Sequence, residues 1–524
     1  MKTLALFLLA SSLHAQMTYE RILKGADESG DWVTYSGNYS GHRFSPLTQI
    51  NEGNVAKLKP LWSYQVNSLQ KFQTTPLVFD GVMYISEPPS NVTALDPRTG
   101  RPLWKYRRNL PDDMRVCCGQ VNRGVAALGD MIYFGTLDAH LVALNAKTGA
   151  VVWDVPVAKY QGGYSITVAP LAVKDKIVIG VSGGEYGVRG LLDAYDAKTG
   201  KRAWRFWTIP GPGEPGNDSW KGDSWKTGSG ATWVTGSFDP DSNLIYWGTG
   251  NPGPDWNGDA REGDNLYADC IVALDADSGK LKWYFQFTPH DMHDWDATEV
   301  PVLIDSEVRG QKRKLVLFPN RNAFYYVLDR QSGQFLLGKP YAKQTWAKGL
   351  DDSGRPIRVP GMFPSLPGTK VWPSVSGANN WYSPSYSPKS GLLYVAVRES
   401  GSVYFTGAAE FKEGERFDGG GFRAIPGEEE YGVVRAMNPT TGQVAWEYKL
   451  QTPPWAGLLS TGGNLLFGST NEGHSYALNA TDGKLLWKFQ TGGLARGNPM
   501  SYLFNGKQQV AMAMGNAIWV FGME

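Results

Sequence analysis

The stretch 94-ALDPRTGRPLW-104 contains a turn followed by the start of a strand, and it recurs along the chain. Close copies are 143-ALNAKTGAVVW-153, 194-AYDAKTGKRAW-204, 273-ALDADSGKLKW-283, 436-AMNPTTGQVAW-446 and 477-ALNATDGKLLW-487. A further copy, 327-VLDRQSGQFLL-337, has Leu337 where the others have Trp. The Asp or Asn side chain bonds to the backbone ahead of it and the glycine supplies a positive φ, so each copy predicts a turn. The alternating apolar residues on either side predict strands.

Each copy follows a predicted inner hairpin. The hairpins span residues 75–85, 124–135, 168–180, 232–248, 300–318, 382–397, 456–468 and 498–514. No copy follows the last hairpin, and we expect 58-LKPLWSYQV-66, which carries Trp62, to supply its outer strand. Repeats built of strands and turns are typical of propeller blades. The predicted fold is therefore all-β: an eight-bladed β-propeller with Trp-docking repeats, whose ring is closed by the N- and C-terminal segments and so has no open sheet edge.

The first fifteen residues have the pattern of an export signal: Lys2, an apolar run over 3–13, and Ala15 at the expected cleavage site. The apolar run is too short to span a bilayer. We therefore expect a signal peptide at 1–15 and a single propeller domain at 16–524, located in the periplasm without membrane insertion.

Charge and composition exclude one class of partner. The chain has 51 Lys and Arg residues against 50 Asp and Glu residues. This balance predicts no basic face for nucleic acid or anionic lipid. The polar, glycine-rich stretch 410–432 predicts a surface insertion that overhangs one end of the ring.

The chain contains three cysteines. Cys270 alternates with apolar residues and is expected in a buried strand. Cys117 and Cys118 are adjacent, and in an exported protein they either form a disulfide or stay as two thiols. A disulfide between neighbours is strained, because adjacent Cα atoms lie about 3.8 Å apart and the usual disulfide range is roughly 4.4–6.8 Å. The sequence has no Cys-x-x-Cys-His motif, which excludes a covalent c-type haem.

The hairpin register brings a set of polar residues to one mouth of the central channel, because the start of a hairpin's first strand and the end of its second lie at the same end. The residues before the hairpins are Gln73, Arg123, Thr167, Trp233, Asp296, Asn380, Trp455 and Arg496 or Asn498, and those after the second strands are Ser182 to Glu185, Asn251, Asn320 and Arg321. Carboxylate, amide, guanidinium and indole groups together suit a polar planar ligand that carries carboxylates.

Three of these residues offer hard oxygen ligands. Glu185, Asn251 and Asp296 suit Ca²⁺ rather than a transition metal. Taken singly, each residue is as readily explained as a loop residue that satisfies a turn, but that explanation is weaker for the whole set. His290 and His293 lack a third ligand for zinc and are expected to form hydrogen bonds within their loop.

At these residues the sequence resembles the pyrroloquinoline quinone (PQQ)-dependent alcohol dehydrogenases, the quinoprotein methanol and ethanol dehydrogenase family, over nearly the whole chain after the signal. The Cys pair followed by 122-NRG-124, and the run 183-GGEYGVRG-190, are its most specific motifs. The resemblance implies a Cys117–Cys118 disulfide on one face of the quinone and Trp233 on the other. It implies further cofactor contacts at Gln73 (where many relatives have Glu), Arg123, Thr167, Ser182, Gly183, Gly184, Arg321, Asn380 and Trp455.

The resemblance also implies the catalytic and metal-binding residues. Asp296 is the implied catalytic base and a metal ligand with Glu185 and Asn251, and Arg321 is the catalytic cation beside the quinone carbonyls. Asp294 competes for the role of base, because the segment 290–296 is longer than in the methanol enzymes, but the position of Asp296 beside the strand at Val300 favours Asp296.

The choice of base bears on the metal. Relatives that use lanthanides carry a second Asp two residues after the base. With Asp296 as base that position is Thr298, which favours Ca²⁺. With Asp294 as base, Asp296 becomes the second Asp and a lanthanide becomes possible.

The implied activity is oxidation of a small-molecule alcohol to an aldehyde or ketone by hydride transfer to PQQ. Electrons then pass to a separate soluble or membrane cytochrome c. One alternative is a non-catalytic periplasmic propeller scaffold like that of the outer-membrane assembly machinery, and another is an extracellular binding or hydrolytic propeller that holds calcium structurally. A scaffold needs neither the Cys pair nor the Glu, Asn and Asp set.

Overall fold

A computed structural model of the protein describes residues 16–25 and 30–523. The predicted export signal, residues 1–15, lies outside these ranges. The one α-helix within them, Tyr19–Lys24, begins after Thr18, whose side chain accepts a hydrogen bond from the Arg21 N–H. Short 3-10 segments are Val55–Lys57, Tyr160–Gly162, Gly184–Tyr186, Asn217–Ser219, Ser224–Thr227 and Gly258–Arg261. No helix in the described ranges is long and apolar enough to cross a bilayer.

Five successive antiparallel sheets, each of four strands, form the first part of the chain. Sheet 1 contains Leu77–Phe79, Val82–Glu87, Asn91–Leu95 and Pro102–Tyr106, and sheet 2 contains Ala126–Leu128, Met131–Gly135, His140–Asn145 and Val151–Pro156. Sheet 3 contains Leu171–Val173, Lys176–Gly180, Leu191–Asp196 and Arg202–Trp207, and sheet 4 contains Ser237–Asp239, Leu244–Gly248, Cys270–Asp275 and Leu281–Gln286. Sheet 5 contains Val302–Val308, Gln311–Pro319, Phe324–Asp329 and Phe335–Pro340.

Three further sheets follow the same plan with additions. Sheet 6 contains Ser385–Ser387, Leu392–Glu399, Tyr431–Met437 and Val444–Leu450, and sheet 7 contains Leu459–Thr461, Leu465–Ser469, His474–Asn479 and Leu485–Gln490, with Phe44–Ser45 parallel to its first strand. Sheet 8 contains Met500–Phe504, Lys507–Met514, Ala517–Gly522 and the N-terminal strand Lys59–Gln65. Smaller sheets are formed by Thr369–Val371, Ser402–Thr406 and Gly420–Ala424, and by Ala347–Leu350 with Pro356–Arg358.

The predicted hairpins are all present as antiparallel strand pairs. The segment 58–66, expected to supply an outer strand to the last of them, pairs antiparallel with Ala517–Gly522. The burial of the side chains decreases from the inner strands to the outer strand of each sheet. In sheet 2 the four central residues of the third strand are buried, whereas the outer strand Val151–Pro156 alternates between exposed and half-buried positions. This gradient matches the apolar residues that fill the third strand of sheet 2, such as Leu141 and Val142. Cys270 is fully buried in a strand, as predicted.

The repeated turn of one sheet receives an indole from the sheet before it. The Trp104 Nε1–H of sheet 1 donates to the Ala146 carbonyl of sheet 2 at 3.0 Å, and Ala146 directly follows the Asn145 of the turn. Gly149 of the same turn has a φ of 71°, and a Cβ atom there would lie 2.5 Å from the Trp104 ring. The corresponding bonds join Trp62 to Pro97, Trp153 to Ala197, Trp204 to Ala276, Trp283 to Arg330, Trp446 to Ala480 and Trp487 to Leu58. The sequence repeat is therefore a sheet-to-sheet contact.

Sheet 5 makes this contact without an indole. Leu337 stands at the Trp position, and the hydroxyl of Tyr325 donates instead to the Pro439 carbonyl of sheet 6 at 2.6 Å. Pro439 directly follows Asn438, so the bond reaches the same point of the turn as in the other copies. A phenol from the neighbouring strand thus replaces the missing indole.

Candidate active site

One cavity of about 460 Å³ gathers every residue that the resemblance assigns to the cofactor, the metal or catalysis. These residues are Gln73, Cys117, Cys118, Arg123, Thr167, Ser182, Gly183, Gly184, Glu185, Trp233, Asn251, Asp296, Arg321, Asn380 and Trp455. Arg496 also lines the cavity, whereas Asn498 bonds to the Tyr35 hydroxyl at 2.8 Å instead. Asn320 is buried outside the lining. The structure therefore brings together the set expected from the hairpin register except Asn320, while the roles of its members stay predictions.

A group of acidic side chains occupies one side of the cavity. The Asn251 N–H donates to Asp296 Oδ1 at 2.8 Å, and Asn251 Nδ2 donates to Asp255 Oδ1 at 2.9 Å. Glu185 and Asp294 line the same cavity. Four carboxylates and an amide oxygen in one pocket are a donor set for a hard, multivalent cation.

The pKa values of these carboxyl groups reflect their crowding. Burial raises the pKa of Asp294 and of Asp296, and the charge of Glu185 raises both further, although Arg321 opposes the shift. Burial, followed by the charges of Glu185 and Asp418, holds the pKa of Asp255 well above its usual range. Buried like charges of this kind are stabilised when a cation binds between them.

Glu185 follows a point where two backbone segments lie in close contact. It lies in the 3-10 segment Gly184–Tyr186, which follows Gly183. Gly183 has a φ of 120°, and a Cβ atom there would lie 2.2 Å from the Gly163 carbonyl oxygen. The glycine in the predicted motif is therefore required by packing, which fixes where the Glu185 carboxylate enters the cavity.

Arg321 connects two aspartates of the site. Its guanidinium forms an ion pair with Asp296 and lies 3.7 Å from Asp294 Oδ1. Its Nη2 also donates to the Val375 carbonyl at 2.7 Å, and its backbone N–H donates to Glu299 Oε1 at 2.8 Å. Burial alone would lower the pKa of Arg321, but the neighbouring carboxylates raise it above its usual value. Arg321 is therefore a fixed positive charge beside the acidic group.

Arg123 occupies a different wall of the cavity. Its guanidinium donates to Thr167 Oγ1 at 2.7 Å and lies 4.7 Å from the centre of the Trp233 ring and 4.9 Å from that of Trp381. Thr167 Oγ1 lies 2.7 Å from Ser182 Oγ. Burial lowers the pKa of Arg123 to about 10, which still leaves it charged at neutral pH. Its Nε has no hydrogen-bond partner among the described residues.

The adjacent cysteines are free thiols in the structure. The Cys118 Sγ lies 3.3 Å from Glu185 Oε1, and the Cys118 carbonyl accepts a hydrogen bond from Lys71 Nζ at 2.8 Å. The pair lies at the cavity, as predicted from the resemblance, but the implied disulfide is not formed here.

The remaining predicted contacts are positioned by local bonds. Asn380 Nδ2 donates to the Ser376 carbonyl at 2.8 Å, and the Trp455 ring lies 4.2 Å from the Arg398 guanidinium. The Gln73 Oε1 is buried without a partner among the described residues. The His290 and His293 rings form hydrogen bonds, as expected, but with the carbonyls of other segments: His290 with Gly263 at 2.8 Å and His293 with Met362 at 2.9 Å.

Several lining residues were not predicted from the sequence. They are Lys71, Val116, Gly119, Val121, Ser165, Ala231, Asp255, Trp256, Val375, Ser376, Trp381, Arg416 and Phe422, and Asp294 joins them although the sequence offers it only as the alternative base. The glycine and prolines around Asp255 in 251-NPGPDW-256 mark a turn at the mouth and were an available signal.

Arg416 and Phe422 lack a signal in the sequence, because they belong to the insertion 410–432. The Phe417 N–H donates to the Glu185 carbonyl at 2.7 Å, and the Trp256 N–H donates to the Asp418 carbonyl at 3.0 Å. The insertion therefore overhangs the cavity mouth.

The chain is similar to known proteins across most of its length. Residues 32–339 match the PQQ family model described as the β-propeller domain of glucose, ethanol and alcohol dehydrogenases. Residues 430–521 match a model of the outer membrane protein assembly factor BamB. The quinoprotein alcohol dehydrogenase PedH of Pseudomonas putida is 42% identical over 98% of this chain and 90% of its own. A quinoprotein ethanol dehydrogenase of Pseudomonas aeruginosa is 37% identical over 96% of this chain and 89% of its own.

Solved structures give the same result. The quinohemoprotein alcohol dehydrogenase ADHIIG of Pseudomonas putida superimposes with a TM-score of 0.91 at 34% identity, over 97% of this chain and 83% of that one. A europium-containing methanol dehydrogenase gives a TM-score of 0.91 at 32% identity, over 96% of this chain and 100% of that one. The all-β architecture is therefore of the propeller type.

Proposed function

This chain belongs to the family of PQQ-dependent alcohol dehydrogenases, and from that membership we propose how its residues oxidise an alcohol. The reaction converts an alcohol to an aldehyde or ketone. The observation that carries the proposal is the mouth cavity, in which an acidic group, two guanidinium groups and several indoles meet. Such convergence of polar groups in one pocket is typical of a cofactor and substrate site.

The cavity has the chemistry that PQQ needs. PQQ is flat and carries carboxylates, and the buried Arg123 and Gln73 each have a polar atom without a partner among the described residues. The volume of about 460 Å³ lies within the range of roughly 300–1,000 Å³ usual for ligand pockets. We assign the binding of PQQ to Gln73, Cys117, Cys118, Arg123, Thr167, Ser182, Gly183, Gly184, Trp233, Arg321, Asn380 and Trp455. In the exported protein the two adjacent thiols would be oxidised to the disulfide that the resemblance implies.

Bound PQQ supplies a hydride acceptor for the carbinol carbon, and a metal beside it supplies Lewis acidity. The chain itself supplies the base and a positive charge. A carboxylate at the acidic group accepts the hydroxyl proton of the alcohol. The Arg321 guanidinium, fixed between two aspartates, favours negative charge that develops next to it.

The geometry favours Asp294 over Asp296 as the base. Asp296 uses one oxygen for the Asn251 N–H and the other for Arg321, and its side chain is 8% exposed. The Asp294 side chain is 23% exposed and lies 3.7 Å from Arg321. Asp294 is thus the carboxylate more open to a substrate hydroxyl, while Asp296 is better placed to hold the metal with Glu185 and Asn251.

The metal follows from the base. With Asp296 as base, the site is the Ca²⁺ site predicted from the sequence. With Asp294 as base, Asp296 becomes the additional carboxylate two residues further on that lanthanide-using relatives carry, and the site suits a trivalent lanthanide. The exposure of Asp294 and the four carboxylates in the cavity support the second arrangement.

Oxidation of one alcohol releases two electrons, and we propose that a separate cytochrome c accepts them one at a time. This is supported by the lack of a Cys-x-x-Cys-His motif, so that the chain carries no covalent haem of its own.

We further propose that sheets 1 to 8 are the eight blades of one closed ring, formed by a single domain at 16–524 that residues 1–15 direct to the periplasm. The support is the series of side-chain bonds from each sheet to the next. The last of them runs from Trp487 of sheet 7 to the Leu58 carbonyl, next to the strand Lys59–Gln65 of sheet 8. The pairing of that strand with Ala517–Gly522 supports closure by both ends of the chain.

A purely structural scaffold receives less support. The match of residues 430–521 to the assembly-factor model covers one section of the repeats. A BamB structure superimposes with a TM-score of 0.51 at 14% identity, which speaks to the fold alone. The acidic group in the cavity has no purpose in such a scaffold.

Reconstitution tests the proposal. Apo-protein is loaded with PQQ and either Ca²⁺ or La³⁺, and reduction of an artificial dye is followed with primary and secondary alcohols, sugars and polyols. We expect dye reduction that requires PQQ, metal and alcohol together, and higher activity with La³⁺ than with Ca²⁺. The absence of dye reduction with every alcohol and both metals would contradict the proposed function. Activity of the PQQ-loaded protein with Ca²⁺ but not with La³⁺ would instead support Asp296 as the base.

A further inference from the structure

We propose that one side of the cavity mouth, formed by residues 66–72 and 491–497 and called here the leucine flank, is the docking surface for an acidic one-electron acceptor protein. The inference rests on the proposed function, because only an enzyme that releases electrons needs such a partner. It goes further in naming the surface and the charge of the partner.

The leucine flank exposes two apolar side chains beside the cavity. Leu69 is 98% exposed and Leu494 is 51% exposed. One exposed leucine is ordinary on a protein surface. Two that flank the mouth of a redox cavity form a small apolar area of the kind found at the centre of protein interfaces.

Backbone bonds hold the two segments next to each other. The Val66 N–H donates to the Asn516 carbonyl at 2.8 Å, and the Gly515 N–H donates to the Leu494 carbonyl at 2.8 Å. Both segments thus attach to the same turn of sheet 8. A Cβ atom on Gly497 would lie 3.2 Å from the Thr74 carbonyl oxygen, which shows that the segments run side by side up to the cavity.

The charge of the leucine flank is positive. Lys71 and Arg496 line the cavity from this side, and neither segment contains an Asp or Glu. Lys71 reaches the Cys118 carbonyl at 2.8 Å, so the flank directly contacts the cysteine pair. The Arg496 guanidinium lies 5.8 Å from the centre of the Trp455 ring.

The neighbouring side of the mouth has the opposite character. A second, smaller cavity there is lined by the acidic residues Asp113, Glu413 and Glu415 together with Arg115. An acidic partner would be repelled from these carboxylates and attracted to Lys71 and Arg496. Charge complementarity of this kind mainly sets orientation and association rate.

The position suits the electron flow. Each alcohol that is oxidised to an aldehyde releases two protons and two electrons, so two acceptor molecules must each dock, take one electron and leave. Rapid exchange requires a weak interface, and redox encounters bury less than about 1,200 Å² in total. A patch with two exposed leucines and two cations has the mixed apolar and charged character of such an interface.

The test compares two electron acceptors, each assayed with the wild-type holoenzyme and with its variants. Leu494→Glu and Leu69→Glu are prepared as PQQ- and metal-loaded enzymes. The control is Leu103→Glu, at a leucine that is 49% exposed. Leu103 lies at the start of the outer strand of sheet 1, at the end of the sheet away from the mouth. Reduction of an acidic soluble c-type cytochrome and of a small neutral dye is measured at low and high salt. We expect kcat/KM for the cytochrome to fall about tenfold in each flank variant, since repulsion and lost apolar contact combine, with dye rates unchanged. The wild-type rate with the cytochrome should also fall as salt rises.

Each contrary result has its own meaning. Equal loss of dye and cytochrome activity would assign the leucines a structural role and overturn the docking surface. Unchanged cytochrome kinetics in both flank variants, or equal loss in Leu103→Glu, would also overturn it, and so would faster reduction of a basic cytochrome than of an acidic one. A wild-type enzyme that reduces neither acceptor would contradict the proposed function itself. Leu494→Ser and Leu69→Ser, which add no charge, should show a smaller loss with the cytochrome alone.

Discussion

The two ends of the same sheets differ in kind. At the turn end, sheet after sheet presents the same Asx-to-Gly turn, and each turn accepts side-chain hydrogen bonds from the sheet before it, as Ala146 does from Trp104 and Tyr84. At the mouth end, each sheet presents a different residue, such as Arg123, Thr167 or Trp233. The repeated end has the same task in every sheet, which is assembly. The varied end combines single contributions into one site, so we expect mutations to separate stability at one end from activity at the other.

The largest effect is expected at the mouth end, from Asp294→Asn. Loss of the base should lower kcat by about 10²–10⁴-fold while PQQ stays bound, because proton transfer contributes about that factor. Dye-linked kinetics and the retained PQQ content measure this. Asp296→Asn should instead lower the metal content.

The matched control is Asp351→Asn, which changes an exposed carboxylate outside the cavity and should have wild-type kinetics. Full activity of Asp294→Asn would return the role of base to Asp296.

The largest effect at the turn end is expected from Trp204→Ala. The buried Trp204 donates to the Ala276 carbonyl at 3.1 Å and packs on Gly279. Its removal should lower the free energy of unfolding by about 3–5 kcal/mol. Denaturant unfolding measures this, and kcat below the unfolding transition should not change. A fall in kcat without loss of stability would remove the division between the two ends.

Gly149→Ala tests the close approach of turn and indole. A Cβ atom would lie 2.5 Å from the Trp104 ring, and overpacking of this kind costs about 1–3 kcal/mol. Gly129→Ala is the control, since Gly129 has a similar φ of 66° with no atom within 4 Å of a Cβ. We expect Gly149→Ala to be the less stable of the two in thermal unfolding. Equal stabilities would mean that backbone strain, and not the indole, explains the glycine.

An effect no larger than that of Gly149→Ala is expected from Tyr325→Phe. The change leaves the Pro439 carbonyl without its donor and should cost about 1–3 kcal/mol. Tyr284→Phe, at a tyrosine 41% exposed, is the control. If Tyr325→Phe is as stable as wild type, the phenol does not replace the missing indole in sheet 5.

The same division explains what could be predicted from the sequence. The turns and hairpins are local, so their residues predicted the strands and the end of the sheets at which Arg123, Glu185 and Asp296 meet. Leu337 stands where the other copies have Trp, and the bond from Tyr325 that replaces the indole bond could not be predicted. That bond joins residues 114 positions apart.

The site was predicted less completely where contacts between distant segments determine the position of a residue. The choice between Asp294 and Asp296 depends on which of them accepts the Asn251 N–H and which is more exposed, and the spacing of residues in the sequence does not determine either. Arg416 and Phe422 reach the cavity from an insertion whose path is set by bonds such as that from Phe417 to Glu185.

Equilibrium binding of PQQ to the apo-protein tests the central claim most directly, namely that the mouth cavity is the cofactor site. In the presence of metal, we expect the wild-type protein to saturate at one PQQ per chain and Arg123→Leu to bind at least about tenfold more weakly, since a buried guanidinium–carboxylate contact is lost. Equal affinity of wild type and Arg123→Leu, or no binding by either, would contradict the account.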